Sequence, residues 1–189
     1  PFEQRFLLSS GEILGAVHHV SPPERDQLRI DLLSDEAMKT SAIEGEMLDR
    51  QSVQCSLRRQ LGLAPDNYPN KPREQGVAEM MVDVYATYAA ALGHDTLFWW
   101  HEMLLSFDKR LETIGSYRQH EDAMQIVSGR IDRPLVHFEA PPSGQVLEEM
   151  ERYVGWFNLT GPDGQGPLPA LTRAGLSHLY FESIHPFED

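Results

Sequence analysis

Five consecutive residues, His185-Pro186-Phe187-Glu188-Asp189, combine the side-chain types that proton transfer and cation binding require. Imidazole is the side chain best suited to accepting a proton near neutral pH. A carboxylate four positions on can hold a divalent cation against phosphate oxygens. From average residue usage, His-Pro-Phe-x-acid arises by chance in on the order of one chain in a thousand of this length. His178, Glu182 and His185 form a second arrangement. Their helical spacings of four and three let all three face one side and bind a transition metal, although Pro186 pulls His185 off the regular helix. The third segment is Thr40-Ser41-Ala42-Ile43-Glu44-Gly45. Thr40 and Glu44 share a helix face, and Glu44 falls in a last turn, where the helix dipole disfavours a carboxylate by ~0.3–1 kcal/mol. That placement calls for a compensating Arg or Lys from elsewhere or a carboxylate held for function; a simply solvated glutamate is the plain alternative.

The elements that must position these residues read mainly as helices. Phe2, Phe6, Ile13 and Val17 recur at helical spacing, and Ser21-Pro22-Pro23 reads as an N-cap followed by first-turn proline. The pattern predicts a helix from about Glu24 to Glu44, with Leu28, Leu32, Met38 and Ile43 near one face and Gly45 as its stop. Asp49 or Ser52 caps a third helix carrying Val53, Leu57 and Leu61, ended by Gly62. A proline-rich loop over 64–72 precedes a long helix over about 74–92, and another helix begins after Asp95. The runs 124–127 and 135–138 favour β structure and predict a hairpin with a longer loop at 128–134. Pro141-Pro142-Ser143 opens a helix through Val146, Met150, Val154 and Phe157. A last helix from about Ala170 to Ile184 ends because Pro186 disfavours α geometry at His185. The expected fold is mainly α with one hairpin. Trp99, Trp100, Trp156 and Met80-Met81 stand at helical spacings and are expected in the core. Gly115-Ser116-Tyr117-Arg118 reads equally as an ordinary loop or as the source of a basic side chain near the site.

Composition narrows the function. Sixteen basic against 29 acidic residues give a net charge of −13, which argues against a nucleic-acid-binding surface. One cysteine, Cys55, excludes an internal disulfide framework and a four-thiolate zinc site and fits a reducing compartment. With no apolar run of membrane-spanning length and no signal peptide, the expected location is cytoplasmic. Starting at Pro1 and stopping at Asp189, the chain reads as a fragment of a longer protein.

Taken together, the two segments resemble the Fic-domain family. The ending is similar to the signature His-x-Phe-x-acid-Gly-Asn-Gly-Arg-x-x-Arg, cut after its fifth position. Thr40-x-x-x-Glu44-Gly45 resembles the inhibitory motif Ser/Thr-x-x-x-Glu-Gly/Asn of members whose inhibitory helix precedes the catalytic core. Local wording is similar too: Ser41-Ala42-Ile43-Glu44-Gly45-Glu46, Ser56-Leu57-x-Arg59-x-Leu61-Gly62, Gly76-Val77-x-Glu79-Met80-Met81 and Val136-His137-Phe138-x-Ala140-Pro141-Pro142. The resemblance covers nearly the whole chain. It implies a Fic-like helical bundle with a β-hairpin flap, with 1–62 carrying the inhibitory helix and 73–189 an incomplete Fic core.

The resemblance further implies transfer of AMP from ATP, with Mg²⁺, to a Ser, Thr or Tyr hydroxyl of a target protein, possibly the protein itself. His185 would take the hydroxyl proton, Asp189 would hold Mg²⁺, and Phe187 would anchor the loop. Glu44 would pair with the second signature arginine and block the γ-phosphate. That arginine and the Gly-Asn-Gly that would bind phosphate at a helix N-terminus are not in this sequence. The strand edges at Ile126, Val127, Val136 and His137 can dock an extended target by main-chain hydrogen bonds, or the hairpin merely covers the core. Whether UMP or phosphocholine replaces AMP is open. Two rival readings stand beside this one: a metal-dependent hydrolase using His178, Glu182 and His185, and a non-enzymatic regulatory module whose negative charge steers a basic partner.

Overall fold

The structure, a computed structural model, describes residues 2–64, 67–122, 124–130 and 133–188. Among the described residues seven helices and one hairpin follow in the order α1 (Phe2–Val17), α2 (Pro22–Ile43), α3 (Arg50–Gln60), α4 (Pro72–Thr87), α5 (His94–Leu105), β1 (Gln125–Arg130), β2 (Arg133–Glu139), α6 (Ser143–Leu159) and α7 (Ala170–Ile184). The chain divides into two compact units, Pro1–Ala90 with Met103–Phe107, and Ala91–Glu102 with Asp108–Asp189.

In the first unit, α2 starts as its sequence demands. The Glu24 carboxylate accepts from the Ser21 backbone N–H at 3.1 Å and from its hydroxyl at 2.6 Å, closing the first turn. The buried stripe, however, is Ile30, Leu33, Ser34 and Ala37. Leu28, Leu32 and Ile43 are exposed, and Met38 only flanks the core, so the expected face is rotated. Residues 30, 33, 34 and 37 follow i, i+3, i+4, i+7, and the packing of α3 and α4 selects that stripe over the competing one. Asp49 is the cap of α3, accepting from the N–H groups of Gln51 and Ser52; Ser52 lies buried inside the helix. The Asp49 carboxylate also takes Tyr68 Oη and Lys71 Nζ, and its backbone N–H donates to buried Glu74.

Helix α4 ends at Thr87, five residues before the expected end. A turn follows, with the Ala90 N–H donating to the Thr87 carbonyl at 2.8 Å. In the second unit the Leu92 N–H donates to Asn158 Oδ1 at 2.8 Å, and Asn158 Nδ2 donates back to the Leu92 carbonyl at 2.9 Å. Gly76 on α4 is obligatory, since a Cβ there would lie 1.8 Å from the Met103 carbonyl oxygen. The first core gathers Leu33, Ala37, Val53, Leu57, Ala78 and Met81. No residue of α1 is buried.

The second unit packs α6 and α7 around Leu97, Tyr117, Val146, Met150, Tyr153 and Ile184. Trp100 and Trp156 pack against that core, whereas Trp99 is 53% exposed and corrects the expectation that all three tryptophans are core residues. The hairpin ladder runs from Gln125↔Glu139 through Gly129↔Pro134 to Arg130↔Arg133, so the strands extend into residues expected to be loop. Ile126 pairs with Phe138 and Val127 with Val136, leaving His137 as the extra residue of a bulge. Every described position of β1 is exposed.

Candidate active site

The C-terminal end of α7 carries the site. Buried Ile184 anchors the last turn, and the His185 N–H still donates to the Phe181 carbonyl at 3.0 Å. His185 itself turns left-handed, with φ 46° and ψ 65°; among the described residues it is the one non-glycine with positive φ. For an L-residue that conformation costs roughly 1–2 kcal/mol, so other groups must hold it.

Those groups come from the segment at 115–118 and from α5. The Arg118 backbone N–H donates to the Pro186 carbonyl at 2.9 Å. Its Nε donates to the His185 carbonyl at 2.6 Å, and its Nη2 reaches the carbonyls of Pro141 at 2.5 Å and Ile184 at 3.3 Å. Arg118 is 1% exposed, and burial pulls its pKa below the usual arginine value. His101 closes the other side. The Gly115 N–H donates to His101 Nδ1 at 3.0 Å, which makes Nε2–H the donor to the Glu188 carbonyl at 3.1 Å. Phe187 stacks on His101 with centroids 4.4 Å apart and packs edge-on to Phe98. Gly115 has φ 71°, and a Cβ there would meet the Glu102 side chain at 2.4 Å.

The Glu188 carboxylate accepts the N–H groups of Glu112 at 3.1 Å and Thr113 at 3.0 Å. The Glu112 hydrogen bond, then that of Thr113, draws its pKa below the usual glutamate range against an opposing effect of burial. One of the two adjacent carboxylates thus has a structural task; the other, Asp189, lies outside the described residues. The His185 ring is half-buried, with Nε2 closed to solvent.

The metal-hydrolase arrangement does not form. His178 and Glu182 are exposed, and the left-handed turn takes His185 off their helical row. Among the described residues no group of three His, Cys, Asp or Glu is placed to hold a metal. No helix among them is long and apolar enough to cross a membrane.

Thr40, Glu44 and Gly45 lie in the first unit, at the end of α2. The Gly45 N–H donates to the Ala42 carbonyl at 3.2 Å and the Glu46 N–H to the Ser41 carbonyl at 2.8 Å, a Schellman closure with Gly45 at φ 81°. Thr40 and Glu44 are exposed. In the hairpin, Ile126, Val127, Val136 and His137 are all exposed, with His137 Nε2 at 2.6 Å from Ser128 Oγ.

The sequence profile of the Fic/DOC family matches residues 91–189, which hold every residue of this turn and its supports. The chain belongs to the Fic/DOC family. A second profile, a domain of unknown function (DUF4172), matches residues 1–63. A Fic family protein of Desulfovibrio desulfuricans G20 superposes with a TM-score of 0.54 at 26% identity, over 100% of this chain and 53% of that one. A Fic domain containing signaling protein of Bacteroides thetaiotaomicron VPI-5482 has a TM-score of 0.63 at 16% identity, over 93% of this chain and 63% of that one, and shows the shared fold. This Fic chain therefore spans between about half and under two thirds of those solved structures. No curated protein matches it. Sequence reasoning on the Fic turn missed His101 and the task of Glu188, and left Arg118 undecided. Arg118 and His101 stand 67 and 87 residues from their partners in the turn, and no local spacing signals such contacts.

Proposed function

We propose that the intact protein is a Fic-type transferase that moves AMP from ATP to a Ser, Thr or Tyr hydroxyl of a target protein, with His185 as general base. The observation that carries this reading is the strained His185 turn, whose three successive carbonyls at 184–186 are all held by Arg118. A left-handed histidine persists only where its surroundings over-determine it, and such strain clusters at functional sites. The hydroxyl oxygen bonds to the α-phosphorus, pyrophosphate departs, and the hydroxyl proton passes to the imidazole.

Mg²⁺, when bound, would neutralise phosphate charge. Asp189 is the residue of this chain that suits it, given that Glu188 is engaged with backbone N–H groups. The exposed aliphatic edge of the hairpin, Ile126, Val127 and Val136, supports docking of an extended target segment. Glu44 is proposed as the inhibitory group, its exposed carboxylate at a helix C-terminus favouring capture of a cation such as the family's second signature arginine.

The test is incorporation of label from α-³²P ATP by the full-length protein, with UTP and CDP-choline run in parallel. His185→Ala should lower transfer ~10²–10⁴-fold while thermal melting moves little. Undiminished transfer in the folded variant would remove His185 from the role. Absence of transfer from all three donors, even with Glu44→Gly, would favour the regulatory module.

A further inference from the structure

Helix α7 has no basic residue in its last turn, although its C-terminal carbonyls carry the negative end of the dipole. The missing cation arrives from 66 residues away. Arg118 is almost completely buried, and its guanidinium lies against the carbonyls of Ile184 and His185. Among the described residues no carboxylate pairs with that charge; its recorded partners are all carbonyl oxygens. A buried guanidinium without a counter-ion is costly, so the helix end is its principal electrostatic partner. Burial shifts its pKa downward, as expected for a charge kept away from water.

The same Nη2 that touches Ile184 also bonds the Pro141 carbonyl, two residues beyond the end of β2. One planar fork therefore clamps the imidazole-bearing turn and the root of the hairpin together. Lysine, a point donor on a flexible stem, cannot reproduce that geometry.

We propose that Arg118 is a positioning residue for the transfer: it enforces the left-handed backbone of His185 and fixes the offset between the base and the hairpin root. This rests on the reading of His185 as the base. Arg118 bonds backbone carbonyls of the turn and of Pro141; it acts through the turn.

The experiment uses full-length protein carrying Arg118→Lys or Arg118→Met, with α-³²P ATP as donor and ¹³C-labelled histidine for NMR. The His185 signal is assigned by its loss in His185→Ala. Both variants should move the His185 Cα and Cβ shifts out of the left-handed range. Each should lower kcat ~100-fold, the cost of a misplacement of about 1 Å, with KM for ATP changed less than about threefold. A folded variant that keeps wild-type His185 shifts overturns the proposal, as do displaced shifts with wild-type kcat. Failure of both variants to fold would make Arg118 a folding residue and overturn it equally. If His185→Ala leaves transfer intact, the base reading fails by itself, and the His185 shifts still report whether Arg118 holds the turn.

Discussion

Helices α2 and α7 both stop at a left-handed residue, and they pay for it differently. At the end of α2 the residue is Gly45, with φ 81° and no atom near where a Cβ would sit. Glycine adopts that conformation without strain, and the closure needs only local backbone hydrogen bonds. At the end of α7 the residue is His185, and Arg118, His101 and the backbone N–H groups of Glu112 and Thr113 hold the turn from distant sequence. The first end leaves its functional candidate, Glu44, exposed; the second holds its candidate half-buried in a defined orientation. A group that must move a proton gains from preorganisation. A group that must capture or release a charged partner gains from remaining accessible.

The largest effect that tests this contrast is on activity. In the full-length protein, Glu44→Gly should raise AMP transfer, self-modification included, by one to two orders of magnitude. A hundredfold bias between two states needs ~2.7 kcal/mol, within the range of one charge-assisted pair. Glu44→Asp should relieve inhibition partially, and the double variant with His185→Ala should be silent. Wild-type transfer in Glu44→Gly would make Glu44 a plain helix end, and the comparison would fail on its α2 side.

A smaller effect separates the two left-handed residues. Gly45→Ala meets no steric obstacle, so its cost is backbone conformation alone, about 1 kcal/mol. That corresponds to a fall in melting temperature of about 2–4 °C for a protein of this size. An unchanged melting curve would show that α2 can end without the left-handed turn.

The smallest concerns pH. The Lys71 ammonium, then the Tyr68 hydroxyl, hold Asp49 down at about 2, below its usual value of 3.8. Its folded pKa is depressed, so its contribution is complete above the unfolded value and is lost as pH falls from about 4 towards 2. Between those limits, denaturant unfolding of the wild type should lose stability more steeply than that of Asp49→Asn. The difference should be modest because the group is solvent-screened. Parallel slopes would mean that the Asp49 network is not maintained in solution.

Much of the architecture was legible because its causes are local. The capping of α2 by Ser21, the stop at Gly45, the limits of α7 at Ala170 and Ile184, and the hairpin all follow from side chains acting within a few residues. Caps, glycine and proline act through neighbouring backbone groups, so their sequence signal is short-range. The signature residues of the turn and of α2 were legible for the same reason: their types and spacing sit in contiguous segments.

The remainder was decided by partners far along the chain. The buried stripe of α2 was ambiguous because apolar residues occur on two overlapping faces, and packing by α3 and α4 resolves it. The chain leaves α4 at Thr87 though helix-forming alanines follow, and Leu92, expected in that helix, instead has both backbone groups bound by Asn158. Proline explained why α7 ends but not how His185 is held. That conformation opposes the intrinsic preference of an L-residue, and it exists because a buried arginine 67 residues away supplies a charge at the helix end and a planar fork to fill. Local sequence encodes the cheapest backbone; only tertiary contacts can stabilise a more costly one.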